Sequence, residues 1–169
     1  MNKIIIFKIS SLALFTLMLI FPAMNNVEAS EISIVSSKEN VGIGEQFYVD
    51  VLLDTQGQTY NGIEGSITFS GDTVSFVRAE EGKSMVTTWI QKPSIDKNII
   101  SFAGIMAGGF EGVIDPFNLK TKLPGPMVRL IFEGTKQGTA SFETSSLMLA
   151  LSNGEGTIEN TPKRFLSVI

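Results

Sequence analysis

The segment from Tyr60 to Val77, YNGIEGSITFSGDTVSFV, constrains the fold more than any other part of the sequence. Through its first half, alternate positions are apolar or small on one side and polar on the other: Ile63, Gly65, Ile67 and Phe69 against Glu64, Ser66 and Thr68. A period of two indicates a β-strand with one face turned to a core. After a tight Ser-Gly-Asp turn, a second strand begins at Val74. The pattern predicts two strands with an apolar core face and a flat polar face that suits a partner better than catalysis.

Short strands and turn signals alternate along the rest of the chain. Gln46–Asp54 shows the clearest alternation, and Pro93 is expected to end the strand that holds the only tryptophan. Further strands are predicted at 32–35, 86–91, 98–105, 127–133, 139–142, 147–151 and 157–159, with a glycine-rich loop at 106–112. No helical period follows residue 30. The sequence therefore predicts an all-β sandwich or jelly roll of eight or nine strands, in which phenylalanine rings, abundant at 12 in the whole chain, help to fill the space between two sheets.

The first 29 residues have the composition of a secretory signal peptide. Lys3 and Lys8 flank the start of a long apolar run, and Val27-Glu28-Ala29 forms an A-x-A-like cleavage pattern. We expect a signal helix over 1–29, a β-sandwich domain over 30–160 and a C-terminal tail over 161–169. The alternative is an uncleaved anchor, since the apolar run is long enough for a membrane helix. Either way, we expect an exported domain, secreted or at the cell surface, with no membrane span beyond the signal segment.

Composition excludes several classes of function. Cysteine and histidine are absent from the 169 residues, which removes thiolate and imidazole metal sites, cysteine nucleophiles and histidine-based triads. Oxygen-bound calcium remains, but no series of spaced acidic ligands supports it. Loss of Lys3, Lys8 and Glu28 with the signal segment turns 13 basic and 17 acidic residues into a net charge of −5. Without a basic cluster to neutralise phosphates, nucleic acid is not an expected partner, and no cofactor is predicted.

Patterns that would indicate catalysis are weak. The glycine-rich AGGFEG loop lacks the Lys-Ser/Thr pair of a phosphate-binding loop. Glycoside hydrolysis needs a pair of carboxylates, one of them in an apolar setting. The available carboxylates lie mostly beside turns, where they are solvated; they are Asp50, Asp54, Glu64, Glu80, Glu81 and Glu111. We therefore expect that the protein is not an enzyme, and glycoside hydrolysis stays only as the weakest alternative.

Aromatic side chains carry a second binding hypothesis. Tyr48, Tyr60 and Trp89 are candidates for stacking on sugar rings, which would make the chain a carbohydrate-binding module with polysaccharide as its ligand. They lie on different predicted strands, and a tryptophan within VTTWIQ is more often a core or edge residue. Carbohydrate binding is therefore the alternative to protein binding.

The order of these segments resembles the cohesin domain, the receptor module of cellulosome-type scaffolds, which is similar in fold to several carbohydrate-binding modules. The resemblance covers about residues 32–159. It runs through the opening strand, the FYVDVLLDT strand, YNGIEGSITFSGDTVSFV, ISFAG and MVRLIFE. After Phe69, the chain has a tight turn and then Val74, where the family has a tight turn and then leucine or valine. Gly104 stands where the family often has an acidic residue.

The resemblance implies a nine-stranded jelly-roll sandwich without catalytic activity. It also implies that one sheet face docks a dockerin module, or another exported protein, in connection with polysaccharide degradation. Calcium in such a pairing belongs to the dockerin, whose EF-hand-like ligand loops are missing from this chain. Glu64 matches an acidic recognition position of the family. The implied partner-binding residues are Asn61, Glu64, Ser66, Thr68 and Ser101.

Overall fold

The computed structural model describes residues 29–169. The predicted signal peptide lies outside the described residues apart from Ala29. Within this part of the chain, no helix has the length and apolar character needed to cross a membrane.

Twelve β-strands and one short 3-10 helix, Glu81–Lys83, make up the regular structure of residues 29–169. The strands are β1 Glu31–Ser36, β2 Gln46–Asp54, β3 Tyr60–Phe69, β4 Val74–Ala79, β5 Thr88–Asp96, β6 Ile99–Phe110, β7 Val113–Ile114, β8 Lys122–Leu123, β9 Gly125–Gly134, β10 Ala140–Leu151, β11 Ile158–Asn160 and β12 Phe165–Val168. The prediction of an all-β domain is confirmed for this part of the chain.

The strands form two sheets and a small ribbon. Sheet one has the order β1-β2-β9-β4, and sheet two has the order β11-β10-β3-β6-β5, with β12 also paired to β10. Strands β7 and β8 form the separate ribbon, and all pairings between named strands are antiparallel. The arrangement is a jelly-roll sandwich.

The turn after Phe69 joins the two sheets. Strand β3 lies in the middle of sheet two, whereas β4 is an edge of sheet one. The predicted alternation in β3 is confirmed: Ile63, Gly65, Ile67 and Phe69 are buried, while Glu64 is exposed and Ser66 and Thr68 are half-buried. The two strands of this segment therefore do not form a hairpin, and each covers one side of the same core.

Phenylalanines from both sheets meet around Phe132 of β9. Its ring centroid lies 5.1 Å from that of Phe69 and 4.9 Å from that of Phe142, both in sheet two. Phe47 and Phe76 of sheet one lie 6.0 and 5.7 Å from it. Contacts at these spacings, mostly edge to face, are the favoured geometry for aromatic pairs. These rings fill the space between the sheets, as the composition predicts.

Proline does not end the tryptophan-bearing strand. Strand β5 continues through Pro93 to Asp96, with an irregular register between Gln91 and Ser94. Strand β5 is an edge strand with a neighbour on one side only. Proline, which has no N–H to donate, is tolerated in such a strand because no hydrogen bond to a second neighbour is lost. The predicted end at Pro93 is therefore wrong.

Two strands are longer than predicted. The segments 139–142 and 147–151 belong to one strand, β10, with an irregular register between Thr144 and Ser146. Strand β6 runs on to Phe110 through Gly108 and Gly109, which have positive φ angles of 84° and 81°. Glycine adopts such angles without strain, so the strand bends instead of ending.

The predicted C-terminal tail belongs to the sandwich. Residues 165–168 form β12, which pairs with Ala140 to Glu143 of β10. Val168 is only 3% exposed and belongs to the core. The domain therefore extends past residue 160, and the predicted boundary there is wrong.

Candidate docking face

The outer surface of sheet two brings the predicted partner-binding residues of β3 and β6 together. Glu64, Ser66 and Thr68 project from β3, opposite to the core residues of that strand. In the adjacent strand β6, Ser101 lies directly opposite Ser66. Neighbouring residues across an antiparallel pair have their Cβ atoms about 4.5–5.5 Å apart, so these side chains form one continuous surface.

A groove of about 850 Å³ crosses this surface at the Tyr60 end of β3. The middle strands contribute small residues, Gly62 of β3 and Ala103 of β6. Larger side chains come from the flanking strands: Ile90 of β5 is 72% exposed, and Ile158 of β11 is 51% exposed. Small residues between larger ones produce the concave shape. Ile105, Ala107, Met148 and Ala150 extend the apolar lining.

Glu64 lies between this groove and a second, more polar hollow. The hollow has a volume of about 270 Å³ and is lined by Glu64, Gly65, Ser66, Gln91, Ser101 and Phe102. Among the described residues that line the larger groove, Glu64 is the only charged one. A single carboxylate therefore sits at the border of an apolar and a polar half of the same face.

The other two predicted residues differ in their freedom to reach a partner. The Thr68 hydroxyl is hydrogen-bonded to the Ser145 hydroxyl of β10 at 2.6 Å. Asn61 is exposed and lines the large groove beside Gly62. The register between β3 and β6 shifts between Tyr60 and Gly62, and this irregularity places Asn61 outside the simple alternation. Asn61 thus lies at the apolar half, and Thr68 at the polar half.

Gly104 faces the core, not the docking face. A Cβ atom on Gly104 would lie 2.3 Å from Cγ1 of Val86 and 3.4 Å from Cε3 of Trp89. Real Cβ atoms do not approach so closely, so only glycine fits here unless Val86 moves. This contact gives a physical reason for the glycine at a position where the resembled family often has an acidic residue.

Tyr60 is a core residue, and its predicted role in sugar stacking is wrong. It is 0% exposed, and its hydroxyl donates a hydrogen bond to Glu159 Oε2 at 2.5 Å. Burial and, secondly, the Glu159 carboxylate raise the pKa of Tyr60 to about 12. A buried ring cannot stack on a polysaccharide.

Tyr48 and Trp89 do not share a platform either. Tyr48 lies on β2 in sheet one, where the Arg129 guanidinium carbon stands 3.8 Å from the centre of its ring. Arg129 is fixed there by Asp50, which accepts from Nε at 2.7 Å and from Nη2 at 2.6 Å. Trp89 belongs to β5 of sheet two and packs edge-on against Phe102, with ring centroids 6.4 Å apart. The three aromatic candidates therefore lie in separate surroundings.

Sequence reasoning missed the apolar half of the docking face. In the LMLAL segment of β10, Leu147 and Leu149 are buried while Met148 and Ala150 point outwards into the groove. The LMLAL segment is apolar at both sets of alternating positions. A strand that is apolar on both faces can bury one face in the core and offer the other to a partner, so this pattern could have predicted the groove. Ile90 and Ile158 gave no local signal, since only the sheet order brings their strands to the two sides of the groove.

A two-sheet jelly roll with an open, partly apolar sheet face defines the class of protein, an antiparallel β-sandwich. The sequence matches no protein-family model and no curated protein. Solved structures match the fold. A type II cohesin domain from the cellulosome of Acetivibrio cellulolyticus has a TM-score of 0.60 at 13% identity, over 83% of this chain and 95% of that one.

Two further cohesins show the same likeness. The cohesin module of a family 33 glycoside hydrolase from Clostridium perfringens has a TM-score of 0.57 at 8% identity, over 84% of this chain and 95% of that one. A cohesin in a type I cohesin–dockerin complex from Clostridium thermocellum has a TM-score of 0.56 at 14% identity, over 84% and 100%. The described chain is a cohesin-like domain in its fold, as the resemblance implies.

Proposed function

We propose that this protein is an exported, non-catalytic docking module that binds a dockerin-type or other extracellular protein through the outer face of sheet two. The observation that carries the proposal is the groove of about 850 Å³ with Glu64 at its border. Its apolar lining offers area to bury, and an acidic group beside it selects a partner with a basic side chain at the matching place.

Two relatives in fold support the class of partner. One was solved in complex with a dockerin, and another belongs to a glycoside hydrolase. A sheet face that stays open in the sandwich is available for such a partner. We further propose that export depends on the signal peptide over residues 1–29, and that the pairing serves polysaccharide degradation outside the cell.

Pull-down on the immobilised domain tests the proposal. Exported proteins of the same organism, dockerin-bearing ones first, are passed over it, and the affinity of each retained protein is measured by calorimetry. We expect Glu64→Lys to weaken binding by about tenfold or more, because it reverses the only charge in the groove. Ile105→Asp, in the apolar half, is expected to have an effect of similar size.

Matched controls lie on the opposite sheet. Glu133→Lys and Val35→Asp make the same chemical changes on sheet one, where Glu133 is half-buried and Val35 is 45% exposed. They should leave the affinity unchanged. Equal losses from both pairs of variants would contradict the assignment of the face, and retention of no exported protein would contradict the function. Retention on cellulose, chitin or xylan would instead favour carbohydrate binding.

A further inference from the structure

Ser30, the first residue after the predicted cleavage site, is anchored at one end of the sandwich. It is 4% exposed, and its backbone nitrogen donates a hydrogen bond to Glu159 Oε1 at 3.0 Å. The Ser30 hydroxyl donates to the same oxygen at 2.6 Å. The other oxygen of Glu159 accepts from the buried Tyr60 hydroxyl. Ser30 leads into sheet one, whereas Glu159 and Tyr60 belong to sheet two, so one carboxylate ties the two sheets together.

The Ala29–Ser30 bond lies where the chain leaves the sandwich, since Ala29 is exposed and Ser30 is buried. Before cleavage, the Ser30 nitrogen is a neutral amide. Hydrolysis by a signal peptidase consumes one water: its oxygen goes to the new Ala29 carboxylate, and its two hydrogens go to the Ser30 nitrogen. The nitrogen then becomes an α-ammonium at the place where the amide already contacts Glu159.

We propose that cleavage after Ala29 converts this contact into an ion pair between the buried Ser30 α-ammonium and the half-buried Glu159 carboxylate, so that export processing stabilises the sandwich. The inference rests on the proposed export but not on the docking function. The bond from the Ser30 amide is already assisted by the charge of the Glu159 carboxylate, and cleavage adds the attraction between two opposite charges at the same distance. The pairing needs no movement of Glu159, because the Ser30 nitrogen is already within 3.0 Å.

Other ionisable groups lie near Ser30 on the neighbouring strands. The Glu31 carboxylate accepts from Arg164 Nη2 at 3.3 Å, and Asp54 lies opposite Glu31 in β2. Burial, followed by the Glu159 hydrogen bond, raises the pKa of Tyr60 to about 12, so the phenol keeps its proton well above neutral pH. Tyr60 therefore remains a donor to Glu159 while the amine titrates.

The sign of the pH dependence follows from linkage. An α-amino group has a pKa of about 7.7–8.0 in an unfolded chain. Burial by itself favours the neutral amine, but the adjacent Glu159 carboxylate favours the charged one. We expect the carboxylate to outweigh burial, so the pKa of the Ser30 amine is raised in the folded protein. The stabilisation is therefore fully present below the unfolded pKa, and it is lost as the pH rises through the folded pKa.

The test uses the full chain, produced in a secreting host. Intact mass of the exported protein should give Ser30 as the first residue. The matched comparison carries two extra alanines between Ala29 and Ser30, which leaves the Ser30 amide in place and moves the free amine outwards. At pH 7, the protein that starts at Ser30 should melt about 4 °C higher than the extended one, the shift expected from about a tenfold change in the folding equilibrium. The difference should vanish near pH 10.

Variants of Glu159 and Tyr60 provide the controls. In Glu159→Gln, the melting difference between the two N-termini should be absent at every pH. Tyr60→Phe keeps the carboxylate and should retain the difference, which guards against a Glu159 variant that fails to fold. Three results would overturn the ion pair alone: the protein that starts at Ser30 melts no higher than the extended one, its advantage is the same at every pH, or the advantage persists in Glu159→Gln. A chain retained uncleaved in the membrane would overturn this proposal and contradict cleavage of the signal segment.

Discussion

Two phenylalanines show how strongly the environment of a residue determines its contribution to stability. Phe132 is fully buried and contacts four other phenylalanine rings from both sheets. Phe117, in the turn between β7 and β8, is 97% exposed. The two residues are chemically identical, and the sequence separates them only by placing Phe132 in the predicted strand 127–133 and Phe117 outside the predicted strands.

We expect Phe132→Ala to lower the free energy of unfolding by about 3–5 kcal/mol, because it removes the central ring and leaves a cavity. Phe117→Ala should change it by less than about 0.5 kcal/mol, as for an ordinary surface substitution. Urea unfolding followed by tryptophan fluorescence measures both. Similar losses from the two variants would contradict the aromatic cluster as the centre of the core.

At the scale of elements, the regular alternation of β3 was predicted correctly, whereas the C-terminal strand β12 was not predicted. The two faces of β3 follow from the period of two between Ile63 and Phe69. Strand β12 has a much weaker pattern, because Phe165 is 72% exposed and Val168 is buried. Its place depends on pairing with Ala140 to Glu143 of β10, which lie more than 20 residues before their partners in the chain.

Neighbouring substitutions in β12 test that pairing. Val168→Asp places a charge in the core and should cost more than about 3 kcal/mol of unfolding free energy. Ser167→Asp, one residue earlier on the exposed face, should cost little. Denaturant unfolding of both variants distinguishes a packed strand from a free tail, in which both substitutions would be silent.

On the scale of the whole molecule, stability rests on the two-sheet core. The sequence has no cysteine, so no disulfide contributes. Among the described residues, no three acidic side chains form a group that could hold a metal ion. Core burial and the sheet hydrogen bonds must therefore supply the stability of the domain.

We accordingly expect the melting temperature to be the same with and without a thiol reductant, and with and without a chelator such as EDTA. The chelator should nevertheless abolish capture of a dockerin-type partner, because the resemblance assigns the calcium of such a complex to the dockerin. Differential scanning calorimetry and pull-down in the two buffers make the comparison. A melting temperature that falls with EDTA would reveal a calcium site in the domain itself.

The sequence by itself determined the all-β class, the core and outer faces of β2 and β3, and the absence of cysteine and histidine chemistry. Each of these depends on residue type or on the direction of successive side chains, which are local properties. Only the tertiary structure decided that β3 and β4 lie in different sheets, that Tyr60 is buried, and that Ser30 meets Glu159. The groove beside Glu64 was also decided by the tertiary structure, because its residues come from five strands that become neighbours only when the sheet forms. Contacts between distant parts of a chain depend on the order of the strands, and alternation within a strand does not encode that order.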